Sequence, residues 1–246
     1  MRVALFVPCY VDQLWPAVGL ATADVLEAHG VELVFPEAQT CCGQPFWTDG
    51  FPAEARRLAA HFVDVFAASD HVVCPSGSCT AMVRRHYAAL LGSEPPVARR
   101  VYELCEFLVD VLGVSAIPQR FAHRVGLHPS CHGLRELGLA HPSERPGAGP
   151  DKVARLLGTL GGIELVAPAR ADECCGFGGT FAIGEADVSC RMGADRLAAH
   201  EAAGAEVLTS VDASCLLHLR GVAERRRSAL RVMHVAEILA GRGLPA

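Results

Sequence analysis

Two Cys-Cys-Gly triplets, Cys41-Cys42-Gly43 and Cys174-Cys175-Gly176, constrain this chain more than any other feature. Each has a lone cysteine well before it and another well after it: Cys9 and Cys79 around the first, Cys131 and Cys215 around the second. Four thiols that arrive from three separate points of the chain, twice over, are what a metal or iron–sulfur site requires, because its ligands must converge on one centre from different directions. Hydrophobic packing makes no such demand.

The two arrays belong to a longer internal repeat. The stretch from Arg2 to Cys9 matches that from Arg124 to Cys131, and Val31-Glu32-Leu33-Val34 matches Ile163-Glu164-Leu165-Val166, each shortly before its Cys-Cys-Gly. The run from His71 to Cys79 matches that from Val207 to Cys215, and Arg100-Val101 with Glu106-Phe107-Leu108 matches Arg231-Val232 with Glu237-Ile238-Leu239. Such self-similarity is the mark of a tandem duplication. The expected division is 1–118 for the first copy and 119–246 for the second, with a surface loop over 139–150 accounting for the longer second spacing.

Within each copy short apolar, β-branched runs (3–7, 31–35 and 71–74 in the first) alternate with amphipathic stretches such as 14–29 and 52–68. Continuous apolar runs of this length suit strands buried on both faces, and the intervening periodicity suits helices. The expectation is an α/β protein of two tandem duplicated domains, each a small doubly wound, mostly parallel sheet flanked by helices. In such sheets ligands sit beyond the carboxyl ends of the strands, which is where Cys9, Cys41-Cys42 and Cys79 fall.

Composition removes several function classes. The net charge is −5 with no basic tail, so neither nucleic acid nor an anionic membrane surface is an expected partner. No apolar run is long enough to span a bilayer, and the N-terminal run ends at Pro8 with no cleavage site, reading as a strand. A cytoplasmic, reducing setting follows as the expectation, with the eleven cysteines present as thiols or metal ligands instead of disulfides.

The duplication also separates the cysteines. Cys9, Cys41, Cys42 and Cys79 each have a cysteine at the matching place, and these eight are the candidate metal ligands. Cys74, Cys105 and Cys190 face Ser210, Ala236 and approximately Arg57, and are expected to be small core side chains. Gly43, Gly176, Gly178 and Gly179 let bare backbone approach the sulfurs and their amides hydrogen-bond to them, so they are the candidate cofactor-binding residues. His132 and His218 are unmatched and expected to be outer-sphere or solvated; His128 and His234 are expected to pack or hydrogen-bond. Arg135, Asp212 and Arg196 read equally as charges tuning a cluster or as ordinary surface charge.

The stretches Val7-Pro8-Cys9, Cys41-Cys42-Gly43-Gln44-Pro45, Pro75-Ser76-Gly77-Ser78-Cys79, His128-Pro129-Ser130-Cys131-His132, Cys174-Cys175-Gly176-Phe177-Gly178-Gly179-Thr180-Phe181 and Asp212-Ala213-Ser214-Cys215 resemble the cysteine-rich CCG-domain family, and over the whole chain its lactate-utilisation branch. Related domains occur in the B subunit of heterodisulfide reductase and the iron–sulfur subunit of glycolate oxidase. The resemblance implies an iron–sulfur protein that works with a ferredoxin-like iron–sulfur subunit and a third lactate-utilisation protein to oxidise L-lactate to pyruvate, the hydroxy acid being an indirect substrate. The arrays here end without the fifth cysteine of the heterodisulfide reductase pattern, since Met82 and His218 follow Cys79 and Cys215 at that spacing. Four thiolates per copy suit one cubane [4Fe–4S] cluster each. Two other readings stand beside this one: a redox enzyme acting directly at a cluster, and a structural protein holding zinc.

Overall fold

The computed structural model describes residues 1–147, 149 and 151–244. Residues 148 and 150 of the loop expected over 139–150 lie outside the described residues.

The first copy contributes four strands, β1 (Arg2–Leu5), β2 (Glu32–Val34), β3 (Val72–Cys74) and β4 (Val101–Glu103), and the second contributes β5 (Arg124–Leu127), β6 (Glu164–Val166), β7 (Val207–Ser210) and β8 (Arg231–His234). They form two sheets of identical order, β2-β1-β3-β4 and β6-β5-β7-β8. Every pairing is parallel. The expected α/β class and duplication are therefore what the chain adopts, with wholly parallel sheets. Two details differ. Each copy carries a fourth strand where the sequence reading placed three, and the helix expected over 14–29, which is present as Pro16–Ala28, is preceded by a further short helix, Cys9–Leu14. Pro16 has no amide to continue the first helix and suits the first turn of the second.

The strand order makes the chain leave β1 towards β2 and return on the other side of it to β3. Loops after β1 and β3 thus diverge at the switch point of the sheet, where a crevice opens. Cys9 opens the helix after β1, and Cys79 lies in the first turn of the helix after β3. The helix after β3 runs from Gly77 to Leu91 through a π turn at Met82–His86, and Ser76 caps its start by accepting the Cys79 amide at 3.3 Å.

The copies are not separate globules. One apolar core runs from Val3 and Leu104 in the first to Val207 and Ile238 in the second. The helix after β8 (Val235–Leu239) packs on Pro16–Ala28 of the first copy, and that after β4 (Leu104–Glu106) packs on Lys152–Leu157 of the second. Each copy's last helix thus lies on the other copy. Polar contacts follow the same exchange: Trp15 Nε1 donates to Glu237 Oε1 at 3.3 Å, and Lys152 pairs with Asp110.

An approximate two-fold axis passes between Ser76 and Asp212, which precede Cys79 and Cys215 by the same spacing and form an antiparallel bridge with each other. The Gly77 amide donates to the Val211 carbonyl at 3.1 Å beside it. Asp212 is fully buried, and its carboxylate accepts from Ser76 Oγ at 3.1 Å, from Ser78 Oγ at 2.7 Å and from the Ser78 amide at 3.1 Å. The sequence left Asp212 open to a surface role; burial at the junction excludes it. The carboxylate answers unpaired amides and the positive end of the helix that carries Cys79. Asp212→Ala leaves these buried donors without an acceptor and is expected to cost about 3 kcal/mol, measured as a lowered urea midpoint with unchanged m-value.

Candidate metal centres

In the first copy, Cys9 Sγ lies 3.6 Å from Cys41 Sγ, and Cys42 Sγ lies 3.3 Å from Cys79 Sγ. In the second, Cys174 touches both Cys131 and Cys175, and Cys175 touches Cys215. Each set of four sequence-matched cysteines is therefore one constellation, and none of them is in a disulfide. Cys42, Cys79 and Cys175 are buried, and the others are half-buried.

The glycines act unequally. Gly43 and Gly176 adopt φ of +85° and +91°, the left-handed region, and each donates its amide to the sulfur two residues back, to Cys41 at 3.4 Å and to Cys174 at 3.3 Å. A Cβ on Gly176 would meet the Ser189 carbonyl at 2.5 Å and Met192 Cβ at 2.8 Å. Gly178 and Gly179 line the neighbouring cavity, with open space around the place of a Gly179 Cβ.

Thiols this close share protons unevenly. Cys41 is drawn down to about 3, chiefly by hydrogen bonds from the Cys42 and Cys9 thiols and further by the Gly43 amide. Cys174 is drawn down to about 2 by the Cys131 and Cys175 thiols and the Gly176 amide. The donors pay the reverse effect: giving a hydrogen bond to Cys41 pushes Cys9 and Cys42 up, as giving one to Cys174 does Cys131 and Cys175, and burial adds to both. Each set thus holds pre-formed thiolate beside thiols that a bound cation would deprotonate.

The two constellations open on one cavity of about 240 Å³. Cys9, Cys42 and Cys79 line one side, and Cys131, Cys174, Cys175 and Cys215 the other. Tyr10, Gln44, His132 and Phe177 from the two copies complete the wall, and the copies also touch through Thr180 and Asp49. Tyr10 stacks edge-on against Phe177 with centroids 5.7 Å apart, Gln44 Nε2 donates to His132 Nε2 at 2.9 Å, and Thr180 Oγ1 donates to Asp49 Oδ1 at 2.6 Å. His132 is therefore a cavity residue, whereas His218 turns away and bonds the Ser189 carbonyl at 3.3 Å.

Three unmatched cysteines part company. Cys105 is buried as expected. Cys190 is exposed, because it lies on the outer face of the helix Ala186–Ala202, and the core role expected for it does not hold. Cys74 is buried and hydrogen-bonds to Cys79, so it backs the first set without a counterpart in the second, where Ser210 stands. Arg135 is exposed and pairs with Glu144 at 2.7 Å.

Behind the sulfurs the copies differ. Gly43 abuts Ala55 and Leu58, and Gly176 abuts Ser189 and Met192, so the following helices correspond in the register Ala55 to Ser189. Their buried faces then pair Ala59 with Gly193, Phe62 with Arg196 and Phe66 with His200. Phe6 in turn corresponds to His128. The first copy fills this space with three phenyl rings in mutual contact, centroids 4.5 to 5.6 Å apart. The second fills it with His128, Arg196 and His200, all at most 1 % exposed. Arg196 donates to the Arg170 and Ala171 carbonyls at 2.6 and 2.7 Å, clamping the loop that leads to Cys174, and to His128 Nδ1 at 3.2 Å. Gly126 makes room, since a Cβ there would lie 2.3 Å from His200 Nδ1. Burial first, and the Arg196 charge second, lower both imidazoles to about 3 and keep them neutral. Arg196 is thus no surface charge, and His128 hydrogen-bonds, one of the two roles expected for it. The Phe6–His128 mismatch in the repeat was the available sign.

Sulfur donors converging in two pseudo-symmetric sets at the switch points of doubly wound sheets define a cysteine-rich, metal-site type of protein. The CCG cysteine-rich domain model matches residues 3–84 and 125–220. The chain belongs to this family and, within it, to the family of lactate utilization protein A. It is 40 % identical over 247 residues to the lactate utilization protein A of an Exiguobacterium species, covering 97 % of this chain and 96 % of that one. It is 39 % identical to those of Bacillus velezensis and Geobacillus kaustophilus, covering 98 % of this chain and 100 % of theirs. Among solved structures, a Yersinia pestis protein described as a putative Asp/Glu racemase aligns over 98 % of this chain and 96 % of its own, at 11 % identity and a TM-score of 0.41.

Two outcomes are expected from this geometry. Gly176→Ala, which drives a Cβ into backbone, abolishes metal retention at the second site, whereas Gly179→Ala carries only the left-handed backbone cost of about 1 kcal/mol and retains it; metal analysis of the purified variants decides. Metal affinity also rises with pH. Cys9 and Cys42 are held above the ordinary thiol value and stay protonated at neutral pH, so metal must displace their protons. Chelator competition at the first site should show about two decades per pH unit, one for each proton released.

Proposed function

We propose that this chain is an iron–sulfur electron-carrying subunit of a multi-protein system that oxidises L-lactate to pyruvate. The observation that carries the reading is one cavity lined by thiols of both sets, Cys9, Cys42 and Cys79 with Cys131, Cys174, Cys175 and Cys215, in a chain 40 % identical to a lactate utilization protein A. The donor set suits the group: all eight sulfurs are free, two accept glycine amides, and each set holds both thiolate and thiol. Cys9, Cys41, Cys42 and Cys79 would hold one [4Fe–4S] cluster, and Cys131, Cys174, Cys175 and Cys215 the other. Such clusters supply one-electron redox chemistry. Two of them match the two electrons that a hydroxy acid gives up on becoming a keto acid.

Gly43 and Gly176 would donate to the ligating sulfurs, while Gly178 and Gly179 keep the cavity wall free of side chains. Burial of the chain's inner sulfurs would exclude water from the redox centres. The oxidation of lactate itself falls to partners, a ferredoxin-like iron–sulfur subunit and a third lactate-utilisation protein, in the cytoplasm. Domain limits at 1–118 and 119–246 belong to the same proposal, and the exchanged terminal helices make the two units mutually dependent.

Two other readings stand beside it. A set of four thiolates also suits a single structural zinc ion. The cavity shared by both sets favours a redox enzyme that admits its substrate between the centres, as in the heterodisulfide reductase resemblance. Metal and sulfide analysis of anaerobically purified chain separates them. About eight irons and eight sulfides, halved by Cys42→Ala or by Cys175→Ala, are expected; zinc without acid-labile sulfide would refute the redox reading. Substrate turnover by the isolated chain would replace the carrier role with direct catalysis.

A further inference from the structure

One ring nitrogen of His128 and the sulfurs of Cys175 and Cys215 lie within 4.8 Å of one another. The tautomer of this ring follows from its partner. Arg196 Nε–H is always a donor, so His128 Nδ1, 3.2 Å away, must offer its lone pair. The ring proton therefore sits on Nε2. That nitrogen is buried and has no hydrogen-bond partner among the described residues. A buried N–H donor left unsatisfied costs on the order of 1–3 kcal/mol, and the Cys175 and Cys215 sulfurs, within 4.8 Å of one nitrogen of this ring, are the acceptors beside it. Direct ligation of a metal by Nε2 would require the ring to lose its remaining proton, since Arg196 already occupies the other nitrogen.

We propose that His128, positioned by Arg196, donates an Nε2–H hydrogen bond to the thiolates of the second site and thereby sets that site at a higher reduction potential than the first. This rests on the iron–sulfur reading of both sites. Hydrogen bonds to cluster sulfurs stabilise the reduced, more negative state, and a buried guanidinium acts in the same direction. The first site has no imidazole or guanidinium behind it: the corresponding places hold Phe6 and Phe62, and its sulfurs take their hydrogen bonds from the Gly43 amide and from the Cys74 and Ser76 side chains instead. Two sites built from the same four-cysteine repeat are thus made unequal by the residues behind them. An electron shared between the two then resides on the second, the first being oxidised as the second is reduced.

The test is an anaerobic potentiometric titration followed by electron paramagnetic resonance, with iron and sulfide measured first. Wild-type chain is expected to show two midpoints. His128→Phe, which gives the second site the residue the first already has, should lower the higher midpoint about tenfold in the reduction equilibrium, or 59 mV for one electron, and leave the lower one in place. Movement of both midpoints, or of neither, overturns the proposal. His128→Gln keeps a side-chain N–H and should retain part of the effect even if the phenylalanine variant fails to load; a midpoint as low as in a chain lacking the donor overturns it. A strongly coupled histidine nitrogen in pulsed spectra would mean ligation and also overturns it. Absence of iron and sulfide would defeat the iron–sulfur reading separately. Nitrogen-15 histidine spectra of the metal-free chain then decide the hydrogen bond, the Nε2–H tautomer of His128 supporting it and the Nδ1–H tautomer sinking it.

Discussion

The buried carboxylate of Asp212, taking hydrogen bonds from Ser76 and Ser78 across the approximate two-fold axis, is the contact on which the geometry of both sites depends. A parallel sheet delivers its ligands to one edge, but nothing in a single copy decides what that edge faces. Here the helix carrying Cys79 starts against the start of the helix carrying Cys215, so the two carboxyl edges are set mouth to mouth. The exchanged terminal helices hold the same arrangement from behind, over a core that both copies share, while the first sheet keeps a second core of its own around Phe6, Phe62 and Phe66.

The carboxylate also breaks the symmetry it sits on. An axis through two identical residues would have placed two serines, or two aspartates, in contact. Two buried aspartates would repel, and two serines would leave the helix amide less well answered. Ser76 opposite Asp212 gives one acceptor and its donors, which only a fused duplication can evolve, because in a dimer of identical chains the two positions must carry the same residue.

The second break lies behind the sulfurs, where three phenyl rings in one copy face an imidazole, a guanidinium and another imidazole in the other. Apolar packing would have served both places equally. Burying Arg196 without a carboxylate partner is costly unless its donors are met, and they are met by two carbonyls and His128. The two halves therefore share a ligand set while differing in the electrostatics around it.

Much of this was legible without coordinates. The repeat identified the eight matched cysteines, because ligands recur at fixed places in both copies while packing cysteines need not. Apolar run lengths indicated parallel strands, since burial on both faces removes the alternation of a half-exposed strand. What was not legible depends on three-dimensional register. The helix carrying Arg196 shares only Arg57/Arg191 and Ala60/Ala194 with its counterpart, too little to fix the register, and a match one residue off set Cys190 against Arg57 and hid the exchange of Phe62 for Arg196. The fourth strands, short and followed at once by helix, gave too little pattern to be counted. By itself the sequence determined the fold class, the duplication and the ligand candidates, all of which follow from local spacing and composition. Only the tertiary structure decided that the two thiol sets share a cavity, that Asp212 joins the copies, and that His128 and Arg196 stand behind one set alone, because contacts between residues far apart in sequence have no local signature.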